Sequence, residues 1–241
     1  MRIHAVHKLI EHRRNIATKP FKARGAKVER CVHCCIAKQF CICEYQPDID
    51  TELAVLLLMS DNEVLKPSNT GRLIADTVKQ TFCYQWSRTE PEAELLELLS
   101  NSEFQPIIVF PEEYVENRSR VIEGADSFRV QGKTPLLIFL DGSWREARRM
   151  FRKSPYLDKL PILSIRPEKV SEYVMRNSHN DNHLSTAEVA SLVMEQLGEQ
   201  KAARVLSSWF ETFRESYMLS KTRIRQDLTR PALQAYIESA K

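Results

Sequence analysis

Apolar positions along the chain fall into two kinds of run. Residues 53–59 and 136–140 are short and wholly apolar, which reads as strand buried on both faces. Residues 107–110 and 162–165 repeat the pattern more briefly, and 82–86 is a further candidate strand. Between them the spacing turns helical. Residues 70–81 place Leu73, Ile74, Thr77 and Val78 on one face, and 91–99 form an acidic helix with Leu95, Leu96, Leu98 and Leu99 inward. Residues 143–153 form a basic helix, while 186–196 and 202–218 are the longest helical stretches. Upstream, 4–16 can form a helix with Val6, Ile10 and Ile16 apolar, before Pro20 and Gly25 break the pattern.

Short buried strands alternating with helices predict an α/β domain: a mostly parallel sheet with helices on both faces. In such sheets ligands bind beyond the carboxyl ends of the strands. Three polar segments fall there: 60–70, 110–113 and 141–144. The chain divides into a basic arm and cysteine-rich segment over 1–50 and the α/β domain over 51–241.

Composition narrows the chemistry. The six glycines, at 25, 71, 124, 132, 142 and 198, are never closer than eight residues. Neither a G-x-G-x-x-G fingerprint nor a P-loop can therefore be written. No apolar run is long enough to cross a bilayer. No apolar segment follows the basic N-terminus as in a secretory signal, so a cytoplasmic location is expected. Residues 1–30 carry nine Lys and Arg against Glu11 and Glu29, a surplus of seven; the whole chain is +3, so the remainder is −4. A basic arm on a slightly acidic body points to a polyanion, with Arg13 and Arg14 among its candidate contacts.

Five of the six cysteines lie between 31 and 43. In a cytosolic chain such density reads as metal before disulfides. Cys31-x2-Cys34 and Cys41-x-Cys43 form two hooks that can offer four thiolates to one tetrahedral ion. Structural zinc is the expectation, an iron–sulfur cluster is the alternative, and Cys35 and His33 are spare ligands.

Asp141-Gly142-Ser143-Trp144 follows a buried strand. Gly142 permits the turn, Ser143 can cap the next helix, and the Asp141 carboxylate is placed at the crevice. On that helix Arg145, Arg148, Arg149 and Arg152 share one face, which suits phosphates. His-Leu-Ser-Thr-Ala-Glu at 183–188 reads first as a helix cap. With no G-x-S-x-G, no H-E-x-x-H and no histidine placed beside a nucleophile, acyl transfer and zinc hydrolysis are poorly supported.

Together these pieces resemble the DTW-domain family, whose pattern Asp-x-Thr/Ser-Trp is here Asp141 to Trp144. The resemblance continues, in chain order, with the paired cysteines, a loop Glu63, Lys66, Asn69, Thr70, a strand ending Phe110-Pro111 with Glu112, then Tyr173, Arg176 and Leu184, Ser185, Thr186, Glu188. Serine replaces the commoner threonine at 143, which keeps the hydroxyl. The resemblance implies a SPOUT-like, knotted fold and an S-adenosylmethionine-dependent enzyme moving a 3-amino-3-carboxypropyl group onto a uridine ring nitrogen of tRNA. It places Asp141 and Trp144 in catalysis. It also places Phe110, Pro111, Ser143, Trp144, Leu184, Ser185, Thr186 and Glu188 around the cofactor. A SPOUT-like methyltransferase and a non-catalytic zinc-bearing RNA-binding module are the competing readings. No membrane or DNA partner is expected, and monomer and homodimer are both open.

Overall fold

The computed structural model describes residues 1–18, 28–122, 130–164, 184–221 and 227–239. Its centre is a six-stranded sheet with every described pairing parallel. The strands are β1 (Ala54–Met59), β2 (Thr81–Gln85), β3 (Phe104–Val109), β4 (Val121–Ile122), β5 (Thr134–Asp141) and β6 (Ile162–Leu163). Their order is β2-β1-β5-β3-β6-β4, so β5 lies between two strands that precede it in sequence.

The apolar runs are continuous because both faces of the central strands are covered. Val55, Leu57 and Met59 enter one core, while Ala54, Leu56 and Leu58 enter the other. The first face is packed by α1 (Ala5–Asn15), α3 (Gly71–Thr77), α6 (Thr186–Gln196), α7 (Gln200–Leu219) and α8 (Pro231–Ser239). The second carries α4 (Ala93–Ser100) and α5 (Trp144–Arg152). The α/β class, the parallel sheet and the helices on both faces agree with the sequence pattern. The strand expected over 162–165 is described only as far as Ser164.

Three local expectations are corrected. The loop after β1 contains a single helical turn, α2 (Asp61–Val64). Helix α3 ends at Thr77, because Thr81 is already paired with β1. On α4, Leu95 and Leu98 are buried but Leu96 is 41% exposed, since a helix of this length presents only one stripe to the sheet.

The N-terminal helix is not a solvated arm. Val6, His7, Leu9 and Ile10 are buried, and the apolar members share the first core with Cys34, Ile36 and Ile42 of the cysteine segment. The boundary at residue 50 thus separates stretches of chain that feed one core. A buried carboxylate holds them: Asp76 of α3 accepts from Trp209 Nε1 of α7 at 3.0 Å and from Gln46 Nε2 at 2.7 Å, and its Oδ1 lies 3.0 Å from His4 Nε2. Burial alone would raise this carboxyl, but the bonds from His4, Trp209 and Gln46 hold it at about 2. Residues 19–27, which hold four of the arm's basic side chains, lie outside the described residues.

Ile10→Ala should therefore cost about 2–5 kcal/mol in urea unfolding, the usual range for emptying a core position. A solvated arm would change stability by no more than about 0.5 kcal/mol.

Candidate functional site

Register sets the site. Met59 of β1 is level with Asp141 of β5, and the Ser60 amide donates to the Asp141 carbonyl at 2.9 Å. The Asp141 side chain is only 2% exposed. Its Oδ2 accepts from Asn69 Nδ2 at 2.6 Å and its Oδ1 from Thr186 Oγ1 at 2.6 Å. Three segments far apart in sequence thereby meet: the loop after β1, the end of β5 and the start of α6. Asn69 Nδ2 also reaches Glu63 Oε2 at 3.3 Å, and Glu63 Oε1 pairs with Lys66 Nζ at 2.6 Å. The Ala187 amide donates to Thr70 Oγ1 at 3.5 Å. The four loop residues Glu63, Lys66, Asn69 and Thr70 all belong to this one network.

Gly71 is required here. A Cβ at this position would stand 2.8 Å from Asp141 Cγ and collide with Oδ2. Helix α3 consequently starts with its backbone against the carboxylate. Burial pushes the Asp141 carboxyl above its ordinary value, and the bonds from Thr186 and Asn69 offset part of that shift. Both hydrogen-bonding neighbours are neutral, while the nearby Glu63 and Lys66 charges act on the carboxyl in opposite directions.

The remaining candidates take distinct places. Ser143 caps α5: its hydroxyl accepts from the Glu146 amide at 3.4 Å while Glu146 Oε2 accepts from the Ser143 amide at 2.9 Å. Ser185 and Glu188 form the same reciprocal box on α6, so their polar atoms are engaged in holding Thr186 in position. Leu184 is half-buried at that turn. Trp144 faces outward, 39% exposed, with its ring stacked on Phe110 at 5.7 Å and 17°. Phe110 and Pro111 close the end of β3, where the Glu112 amide donates to Ser164 Oγ at 3.2 Å. Tyr173 and Arg176 lie outside the described residues.

Arg145, Arg148, Arg149 and Arg152 are all exposed on α5. Arg13 is tied to Asp61, and Arg14 reaches the Val32 carbonyl at 3.5 Å. Because Asn62 donates to Glu146 of α5 at 2.9 Å, the basic end of α1 and the start of α5 flank the same short turn.

The cysteines form a compact tetrad. Cys31 and Cys43 Sγ are 3.6 Å apart, Cys34 and Cys41 Sγ 3.7 Å, and all four lie within 4.8 Å of one another. Sulfurs about 2.3 Å from one tetrahedral ion would be separated by about 3.8 Å. The tetrad therefore fits a single metal ion. The hydrogen bond from Cys43 draws the Cys34 thiol down to about 5, while burial lifts Cys41 to about 11. Cys35 sits apart: its φ is 59° and its thiol points to the His33 carbonyl at 3.7 Å. His33 instead meets His7 edge-on, with ring centroids 5.2 Å apart.

The buried group His4, His7 and Asp76 was not visible in the sequence, because polar residues on an otherwise apolar helix face leave no periodic signal. Its ring pair is stacked at 3.7 Å and 21°. Near-parallel planes at that spacing cannot both contain one ion, so the geometry suits a structural hydrogen-bond hub.

A family model, the DTW domain, matches residues 28–218. The chain belongs to the DTW-domain family. That family is associated with tRNA-modifying enzymes, and the match runs from the cysteine tetrad through most of α7. No solved structure matches the chain. Among the described residues no helix is long and apolar enough to cross a membrane.

Protein purified without chelator should hold one metal ion per chain. Cys34→Ser or Cys41→Ser should lose it, while Cys35→Ser and Cys83→Ser should keep it, as read by elemental analysis per mole of protein. A second expectation concerns pH. A raised Asp141 carboxyl adds stability only while protonated, and that contribution is lost as pH rises through the folded-state value. Asp141→Asn cannot ionise. The stability of this variant relative to the parent should therefore climb as pH rises above the ordinary carboxylate range, measured by denaturant unfolding at each pH.

Proposed function

We propose that this protein transfers the 3-amino-3-carboxypropyl group of S-adenosylmethionine to a uridine ring nitrogen in tRNA. The observation that carries this reading is the buried Asp141 carboxylate, which gathers the family's three loop motifs at the carboxyl ends of β1 and β5. Family membership supplies the tRNA-modifying context. The site suits a sulfonium cation, because the two groups bonded to the Asp141 carboxyl are neutral and its ionised form is bonded to no cation.

When bound, S-adenosylmethionine supplies the aminocarboxypropyl group and departs as 5′-methylthioadenosine. The residues of the chain do the rest. Asp141 takes the imide proton of uracil, and its burial makes it a stronger base than an exposed carboxylate. Thr186 and Asn69 fix the two carboxylate oxygens, so the proton is received at a set position. Phe110, Pro111, Ser143 and Trp144 line the ends of β3 and β5, and Leu184, Ser185 and Thr186, with Glu188 completing the cap, form the facing turn. The backbone groups of these segments orient the cofactor so that the aminocarboxypropyl carbon, rather than the methyl, faces the base. Arg14, Arg145, Arg148, Arg149 and Arg152 hold phosphates, with Arg13 at the edge of the same surface. The tetrad Cys31, Cys34, Cys41 and Cys43 holds a structural zinc. Strand β5, inserted between β1 and β3, supports a knotted SPOUT-like framework.

Mass analysis of tRNA after incubation with S-adenosylmethionine tests the reaction. An added aminocarboxypropyl group is expected. An added methyl would mean a methyltransferase, and no change with tRNA bound would mean a binding module. Asp141→Asn should lower single-turnover transfer by about two to four orders of magnitude and leave calorimetric cofactor binding nearly intact. A near-normal rate would remove Asp141 from the chemistry.

A further inference from the structure

We propose that the outward face of Trp144, together with Tyr114 and Arg148, is a stacking platform for an unpaired base of the RNA. This deepens the tRNA reading above and rests on it for the identity of the RNA.

The indole is exposed yet held rigid. Its inner face lies on Phe110, and Phe110 stacks in turn on Phe151 at 4.2 Å and 12°. The Arg120 guanidinium lies over the Phe151 ring, 5.7 Å from its centroid. Tyr114 meets Trp144 edge-on at 5.3 Å and 71°, and the Arg148 guanidinium covers Tyr114 at 4.7 Å. A free surface tryptophan would have to be ordered by its ligand; this one is ordered in advance, which lowers the entropy cost of stacking a base on it. Elsewhere on α5 the arrangement recurs: Arg149 lies 5.4 Å over Trp86, whose Nε1 donates to Ser154 Oγ at 2.9 Å. Guanidinium groups alternating with aromatic rings are what a single-stranded nucleic acid requires, rings for the bases and cations for the phosphates between them.

Charge selects RNA over the adenosine of the cofactor as the occupant. S-adenosylmethionine is a sulfonium cation without phosphates, and α5 presents four guanidinium groups on its exposed face. An RNA base arrives with a phosphate on each side. Base flipping gives such a platform a use, because chemistry on a uracil ring nitrogen requires the base to leave its stack.

The test uses the full chain, a short oligouridylate and tryptophan fluorescence. The oligouridylate should quench emission, and Trp144→Phe should remove the larger part of the quench while keeping affinity within about threefold, since phenylalanine still stacks. Trp144→Leu and Tyr114→Leu should each weaken binding by about tenfold without changing the dependence of log K on log salt. Arg145→Ala should instead reduce that slope by about one. If Trp144→Leu fails to fold, Trp144→Phe and Tyr114→Leu carry the test. Quenching undiminished in Trp144→Phe, unchanged affinity in the leucine variants, or no oligouridylate binding at low salt overturns the platform. Quenching by S-adenosylmethionine alone, with the leucine variants losing cofactor affinity, gives the platform to the cofactor and also overturns it. Group transfer is scored separately. Stacking without transfer defeats the proposed reaction and leaves the platform, whereas transfer without Trp144 quenching defeats the platform and leaves the reaction.

Discussion

A carboxylate taken out of water at the end of a central strand constrains everything around it. Asp141 is stable there only because Asn69 and Thr186 bring N–H and O–H donors to its two oxygens. Those donors come from a loop and a helix that lie more than a hundred residues apart in sequence. The demand propagates outward. Asn69 is placed by Glu63 and by the Arg72 amide, which donates to its Oδ1 at 3.1 Å. Thr186 is placed by the Ser185–Glu188 cap. Position 71 must be glycine because the helix backbone runs against the acid.

The same logic explains why residues 1–50 are part of the fold rather than an attachment. Its helix lends apolar side chains to the core under α3 and α7, and the cysteine tetrad folds against that core through Ile36 and Ile42. A metal ion at the tetrad would fix the segment that carries Gln46 to Asp76. Metal binding and the packing of α1 are thus joined through a few covalent and hydrogen-bonded steps. The basic end of α1 is in turn carried to the turn beside α5.

Much of this was legible in the residues, for physical reasons that differ from element to element. The strands β1 and β5 could be read because both faces are buried, leaving runs with no polar interruption. Helix α6 was bounded correctly because Ser185 and Glu188 announce its start. The end of α3 differs because Val78 continues the apolar face past the helix into the approach to β2, where pattern alone cannot separate coil from helix. Helix α8 was missed although Pro231 occupies a favoured first position, since only Leu233 and Tyr236 are buried on it. The site divides in the same way. Asp141 was visible from its place after an apolar run, but Asn69 lies 72 residues away in sequence. Only resemblance, not spacing, could link them. Asp76 and His4 carried no signal, because buried polar groups obey partners rather than periods.

The bond from Trp209 to Asp76 spans 133 residues of sequence. Proteins emerge from the ribosome N-terminus first and at a finite rate. Helix α1 and Asp76 are made well before the indole that completes their hub, which lies on the later segment α7. Until that segment emerges, the Asp76 carboxylate lacks one of its donors, and the apolar faces of α1 and α3 lack the helix that seals them. Contacts of such long range close slowly. The nascent chain therefore carries an incomplete core until α7 has been made.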